Sequence, residues 1–147
     1  MQKGFAKAQI DLFLEKCKQH NLRVTPQRMA IHRAVIQSMN HPSADEIYRI
    51  VKEQFPNISF DTVNRTLLTF SQIGILKIVE SFRGARRFDP NLENHHHLHC
   101  INCGKIIDFN NENYDQLEVP SNIQPGFTVL NKRVVLSGIC KECHNVR

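Results

Sequence analysis

Nowhere in the 147 residues does an apolar run approach the roughly 18 residues that a bilayer span requires. The opening stretch Met1-Gln2-Lys3-Gly4-Phe5-Ala6-Lys7 lacks the continuous apolar core of a secretion signal, so the cytoplasm is the expected compartment. The polar bias of a disordered chain is missing too. With 41% hydrophobic residues the chain can bury one ordinary core or two small ones. Acidic charge is scarce at the front: residues 1–88 carry 14 Lys+Arg against 7 Asp+Glu, whereas residues 89–147 carry 5 against 7. The first part is suited to a polyanion and the second is not, although charge alone equally fits a solvated basic surface.

Cysteine is sparse but concentrated. Four of the five cysteines form two CxxC pairs, Cys100-x-x-Cys103 and Cys140-x-x-Cys143. In a reducing compartment such pairs hold zinc more readily than they form disulfides. Four sulfur ligands leave no vacant position, which favours structural tetrahedral Zn²⁺ and argues against catalysis at that ion. A thioredoxin-like redox role fails because neither pair has a βαβ context. The remaining cysteine, Cys17, falls on the apolar stripe Ile10, Phe13, Leu14, Cys17 of a helix over 9–20 and reads as core.

The segment 95–109 packs four histidines, one CxxC and an aspartate into fifteen positions. His95 and His97 face the same way on an extended backbone, and with the cysteine tetrahedron already filled they suit a second ion. Asp89 and Asp108 are the carboxylates at hand. Imidazoles plus carboxylates accept Fe²⁺, Mn²⁺, Zn²⁺ or Ni²⁺, and ligand type does not choose among them.

Along the chain, Thr25-Pro26 caps a second helix to about Ser38 that buries Ile31 and Val35 with help from Met29, Ala34 and Ile36. Ser43-Ala44-Asp45-Glu46 is a capping box for a third helix burying Ile47, Ile50 and Val51. A fourth runs from Ser59 to Gly74 with Val63, Leu67 and Phe70 inside and Asp61, Thr62, Asn64 and Arg65 outside. Strands over 75–80 and 86–88 flank a turn and bring Arg83, Arg86 and Arg87 into a basic hairpin. Helices followed by such a hairpin describe a winged helix-turn-helix, with the last helix in the DNA major groove and the hairpin on phosphate or in a minor groove. A plain helical bundle with a charged surface is the bland alternative.

The expected domains are therefore 1–88, winged-helix and DNA-binding; 89–94, a polar hinge; and 95–147, a second domain that carries the metal ligands. In the last, strands over 98–101 and 105–109 surround the first CxxC, a helix covers 113–119, and a long strand over 127–137 delivers Cys140 and Cys143. So small a domain calls for a zinc staple, a dimer partner, or both.

Taken together, Leu22-Arg23-Val24-Thr25-Pro26-Gln27-Arg28, His41-Pro42-Ser43-Ala44-Asp45-Glu46-Ile47-Tyr48, Thr62-Val63-Asn64-Arg65-Thr66-Leu67, and His95 through Phe109 with the closing Cys140 pair resemble the ferric uptake regulator family over nearly the whole length. The resemblance implies that 95–147 is an α/β dimerisation and metal-binding domain holding the four-cysteine zinc, and that the protein is a homodimeric, metal-dependent repressor that binds a palindromic operator in double-stranded DNA. It also implies a regulatory Fe²⁺ or Mn²⁺ held by His41, Asp89, His95, His97 and Asp108, of which His41 comes from the resemblance alone. Asp89 and Asp108, where iron sensors more often place glutamate, are similar to the peroxide regulator branch. There, Fe²⁺ reduces H₂O₂ in the site and a ligand imidazole is oxidised, which implies His41 and His95 as the sensitive residues. An iron-sensing repressor is the alternative. A further family site needs a histidine where this chain has Asn131-Lys132-Arg133, so two metals per subunit are implied.

For DNA, Arg23 and Arg28 are expected to position the backbone, Arg65 to meet base or phosphate, and Asn64 to set specificity where the family usually carries tyrosine, with Thr62 and Arg86 beside them. His96, His99 and His144 are expected at the surface or behind the ligands. Two rival classes are a zinc-dependent hydrolase, motivated by the histidines and nearby carboxylates, and a zinc-stapled interaction domain.

Overall fold

Helix ends set the first half of the chain. In the computed structural model, which describes residues 2–38, 41–79, 84–123 and 125–145, Thr25 accepts the Arg28 backbone N–H at 3.2 Å and Pro26 opens the helix behind it. Ser43 and Glu46 close both bonds of the capping box, 3.3 Å from the Glu46 N–H to Ser43 Oγ and 3.1 Å from the Ser43 N–H to Glu46 Oε2. The helices are α1 (Gln2–Gln19), α2 (Pro26–Gln37), α3 (Ala44–Gln54) and α4 (Phe60–Gln72). Gly74, at φ +86°, turns the chain out of α4, and the Ile75 N–H returns to the Phe70 carbonyl at 2.8 Å.

The chain divides into two units, Met1–Leu92 and Glu93–Arg147. The core of the first is Phe13 and Cys17 of α1, Ile31, Ala34 and Val35 of α2, Ile47 and Val51 of α3, and Val63, Leu67 and Phe70 of α4, closed by Ile75, Leu76 and Phe88. Several expected core residues lie outside it. Ile10 is 40% exposed, Leu14 43% and Ile50 49%, and Met29 is exposed as well. The buried line of α1 is Gln9, Phe13 and Cys17 at i, i+4, i+8, which leaves Ile10 and Leu14 on its flank; Ile47 and Val51 define an equally narrow line in α3. Met29 stands in the first turn of α2, ahead of the packed residues that begin at Ile31.

Strands β1 (Lys77–Val79) and β2 (Arg87–Asp89) pair antiparallel, with Ile78 opposite Phe88 and Lys77 opposite Asp89. Four helices closed by this two-stranded wing make the first unit a winged helix-turn-helix. Arg83 lies outside the described residues.

In the second unit, β3 (His96–Cys100) is central, antiparallel to β4 (Ile106–Phe109) and parallel to β5 (Val135–Gly138). Short helices α5 (Glu112–Asp115) and α6 (Lys141–His144) complete an α/β arrangement. The long strand expected over 127–137 shrinks to β5. A strand persists where a neighbour takes its ladder bonds, and β3 pairs only with Val135 onward; Leu130 is 89% exposed. The helix expected over 113–119 is one turn, capped by Asn111 at the Tyr114 N–H and ended at Gln116.

Candidate metal centres and nucleic-acid face

The four cysteines converge in the second unit. Cys100 ends β3 and Cys103 follows it in a tight turn, where the Gly104 N–H bonds the Cys100 carbonyl at 2.9 Å; Cys140 and Cys143 bracket the start of α6. Cys100 Sγ is 3.8 Å from Cys143 Sγ, Cys103 Sγ is 3.7 Å from Cys140 Sγ, and all four sulfurs lie within 4.8 Å of one another. Ligands about 2.3 Å from a tetrahedral zinc stand about 3.8 Å apart, so these edges fit one Zn²⁺. All four thiols are free. The backbone N–H groups of Cys103 and Cys140 point at Cys100 and hold its thiol down to about 6, whereas thiol hydrogen bonding led by Cys140 pushes Cys143 up to about 12. Four thiolates so close repel one another, and a dication removes that conflict.

One residue beyond the other end of β3, the donors change from sulfur to nitrogen and oxygen. His97 pairs with Asp108 across the β3–β4 ladder, and Nε2 is 3.1 Å from Oδ1; His95 Nε2 is 3.6 Å from the same oxygen. Donors at about 2.1 Å from a shared ion stand about 3.0–3.4 Å apart, close to these spacings. His95 Nδ1 lies 2.6 Å from the Glu93 carbonyl, an oxygen that can only accept, so the ring proton sits on Nδ1 and Nε2 faces the carboxylate. Both imidazoles are buried.

In the first unit, His41 and Asp89 form a second buried pair, Nε2 to Oδ2 at 3.3 Å. Asp89 is the last residue of β2, and its Oδ1 accepts the Asn91 N–H at 2.9 Å, which fixes the carboxylate. Two of the other histidines, His96 and His99, are not at the surface. His96 is fully buried: its Nδ1 accepts the Val134 N–H at 3.0 Å, so its proton is on Nε2, which donates to Asp115 at 2.8 Å. It packs among Phe109 and Tyr114 as a structural residue. The strand alternation that sends His95 and His97 to one face sends His96 to the other. His99 is also buried, and His144 is exposed.

The residues expected on DNA lie on three elements of the first unit. On α4, Thr62 is exposed and its hydroxyl is 2.9 Å from the Ser59 cap; Arg65 is exposed and paired with Asp61 at 2.6 Å. Asn64 is half-buried, further inward than expected, because on the helix it flanks the line of Val63 and Leu67, both fully buried. Arg23 is exposed ahead of α2, and its carbonyl accepts Arg28 Nη1 at 2.6 Å. Arg86 is exposed before β2, but Arg87 is half-buried and donates from Nε to the His41 carbonyl at 2.6 Å. That bond, which ties the Arg87 Nε to residues 41–43, had no signal in sequence spacing because its partners are 46 residues apart.

A winged helix-turn-helix joined to a zinc-holding α/β unit defines a metal-binding regulator of transcription. The chain belongs to the ferric uptake regulator family, whose pattern it matches over residues 19–137, and it is a metal-dependent transcriptional regulator. It is 43% identical over 122 residues to the peroxide-responsive repressor PerR of Staphylococcus epidermidis, covering 83% of this chain and 81% of that one. Among solved structures it superposes on the Helicobacter pylori ferric uptake regulator with a TM-score of 0.74 at 23% identity, over 94% and 93% of the two chains, a likeness of fold. The PerR of Streptococcus pyogenes, described for peroxide sensing and gene regulation, matches at 32% identity and a TM-score of 0.51 over 89% and 90%. The cysteine set fits structural Zn²⁺, and the histidine–aspartate donors suit a regulatory Fe²⁺ or Mn²⁺.

Proposed function

We propose that the protein is a cytoplasmic, homodimeric repressor that binds a palindromic operator and leaves it when peroxide oxidises the regulatory centre. The observation that carries this reading is the donor change along β3: a closed four-sulfur set at one end, and at the other His95, His97 and Asp108, a nitrogen and oxygen set suited to an exchangeable ion. On this reading His41 and Asp89 of the first unit complete that set, and residues 89–94 act as the hinge. An ion bonded to both units favours the one hinge geometry in which it finds all its ligands, and metal and operator affinity become reciprocally coupled.

Aspartate at both 89 and 108, together with relatives named as peroxide-responsive repressors, supports the peroxide branch over the iron-sensing one. Bound Fe²⁺ supplies reducing power toward H₂O₂, which bound Mn²⁺ supplies far less. The chain's own part is to hold His41 and His95 buried beside carboxylates, where an added oxygen would cost a ligand. Exposed Leu98, Ile107 and Leu136 on the sheet, with Phe127 and Leu130 beyond it, support a dimer contact through the second unit. Operator-like DNA retained with Mn²⁺ and released by chelator, with two metals per chain by elemental analysis, is the expected result. Metal-independent DNA binding, or a single metal, would contradict it.

A further inference from the structure

His41 has φ +37°, a left-handed conformation that is uncommon outside glycine and costs energy relative to negative φ, so contacts that favour it matter. They come from β2. Strand alternation sends Phe88, fully buried, into the core and sets Arg87 and Asp89 on the opposite face, toward residues 41–43. The backbones meet first: Phe88 N–H bonds the Pro42 carbonyl at 3.0 Å, and Ser43 bridges Arg87. Two side chains then fix His41 itself. Arg87 Nε donates to its carbonyl at 2.6 Å, and Asp89 Oδ2 stands 3.3 Å from its imidazole Nε2.

We propose that Arg87 is a positioning residue for the regulatory metal: by gripping the His41 carbonyl it sustains the left-handed backbone that presents the His41 imidazole beside Asp89. The inference rests on the reading of His41 as a metal ligand. Without the guanidinium donor, His41 can relax to negative φ and carry its imidazole away from the carboxylate. The Phe88–Pro42 bond and the burial of Phe88 stay in place, so the wing keeps its pairing. Arg87 follows directly on Arg86, expected on DNA, so a single short strand would connect the DNA-facing wing to the metal ligand.

The test compares wild type, Arg87→Met, which keeps the aliphatic stem and removes the donor, Arg87→Lys, which restores one donor, and His41→Ala. The readouts are Mn²⁺ affinity by competition with a chelating dye, zinc content, and, in the protein without regulatory metal, the His41 three-bond HN–Hα coupling, which reports φ. Arg87→Met is expected to shift the coupling and lower Mn²⁺ affinity about tenfold, as loss of a group supporting a ligand does, with zinc unchanged and partial recovery in Arg87→Lys. An unchanged coupling and wild-type Mn²⁺ affinity in Arg87→Met would overturn the proposal even where His41→Ala is impaired. If His41→Ala itself binds Mn²⁺ normally, the ligand reading fails, and the coupling alone decides whether Arg87 holds the backbone. Should Arg87→Met fail to fold, Arg87→Lys decides: wild-type coupling and affinity support the single donor, and wild-type affinity with a shifted coupling sinks it.

Discussion

His97 and Asp108 face each other across the β3–β4 ladder, with the imidazole Nε2 3.1 Å from the carboxylate Oδ1. Backbone register sets the two residues opposite each other and places both donors on one face of the sheet. Replacing His97 with Ala, or Asp108 with Asn, is therefore expected to weaken Mn²⁺ binding at least tenfold while leaving one Zn²⁺ per chain. Calorimetry paired with elemental analysis checks this; loss of zinc along with Mn²⁺ would mean that the two sets do not act separately.

Cys103 is exposed, yet its sulfur closes the four-sulfur set. Structural zinc contributes folding energy of about 10 kcal/mol or more in small domains. Cys103→Ser should lose zinc and much of the second unit's thermal stability. A zinc-free variant that melts like wild type would remove the structural role.

Arg65 and Asp61 are paired at 2.6 Å on α4, but their side chains are 76% and 64% exposed, so the pair contributes little to folding. Arg65→Ala should leave the melting temperature nearly unchanged, lower DNA affinity, and reduce the salt dependence of binding by about one phosphate contact. Equal affinity and an equal salt slope would take Arg65 off the DNA.

His32 is buried against Phe13, ring centroids 4.4 Å apart, and burial holds its pKa down to about 4. The unfolded chain, at its ordinary value near 6.5, binds the proton first. Stability supplied by the neutral ring is thus complete above about pH 6.5 and declines as pH falls toward 4, by up to about 1.4 kcal/mol per pH unit. Urea unfolding at pH 5 and 7 should show a larger loss for wild type than for His32→Phe; equal losses would contradict the assignment.

The parts of this architecture that depend on neighbours in sequence were the legible ones. Thr25-Pro26, the Ser43–Glu46 box and Gly74 each act within a few residues, and the helices start and stop where those groups say. The cysteine pairs were legible because tight turns impose CxxC spacing. What sequence spacing could not supply was set by tertiary pairing. Residues 127–133 have strand-like composition but no place in the β3 ladder, which begins with the Val134 carbonyl accepting the His97 N–H, and the deep burial of His96 follows from Asp115 and Val134, far along the chain. Arg87, grouped by composition with the phosphate-binding arginines, is committed to the His41 carbonyl.

On the function proposed above, the histidine–aspartate centre reports peroxide through its own ligands. The Fe²⁺ and Mn²⁺ forms are to be treated with H₂O₂ in parallel, following operator binding and the mass of the His41 and His95 peptides. A gain of one oxygen, about 16 Da, on one of these peptides with loss of DNA binding is expected in the Fe²⁺ form, and neither change in the Mn²⁺ form. Retained DNA binding and unmodified peptides in the peroxide-treated Fe²⁺ form would contradict it and leave an iron sensor.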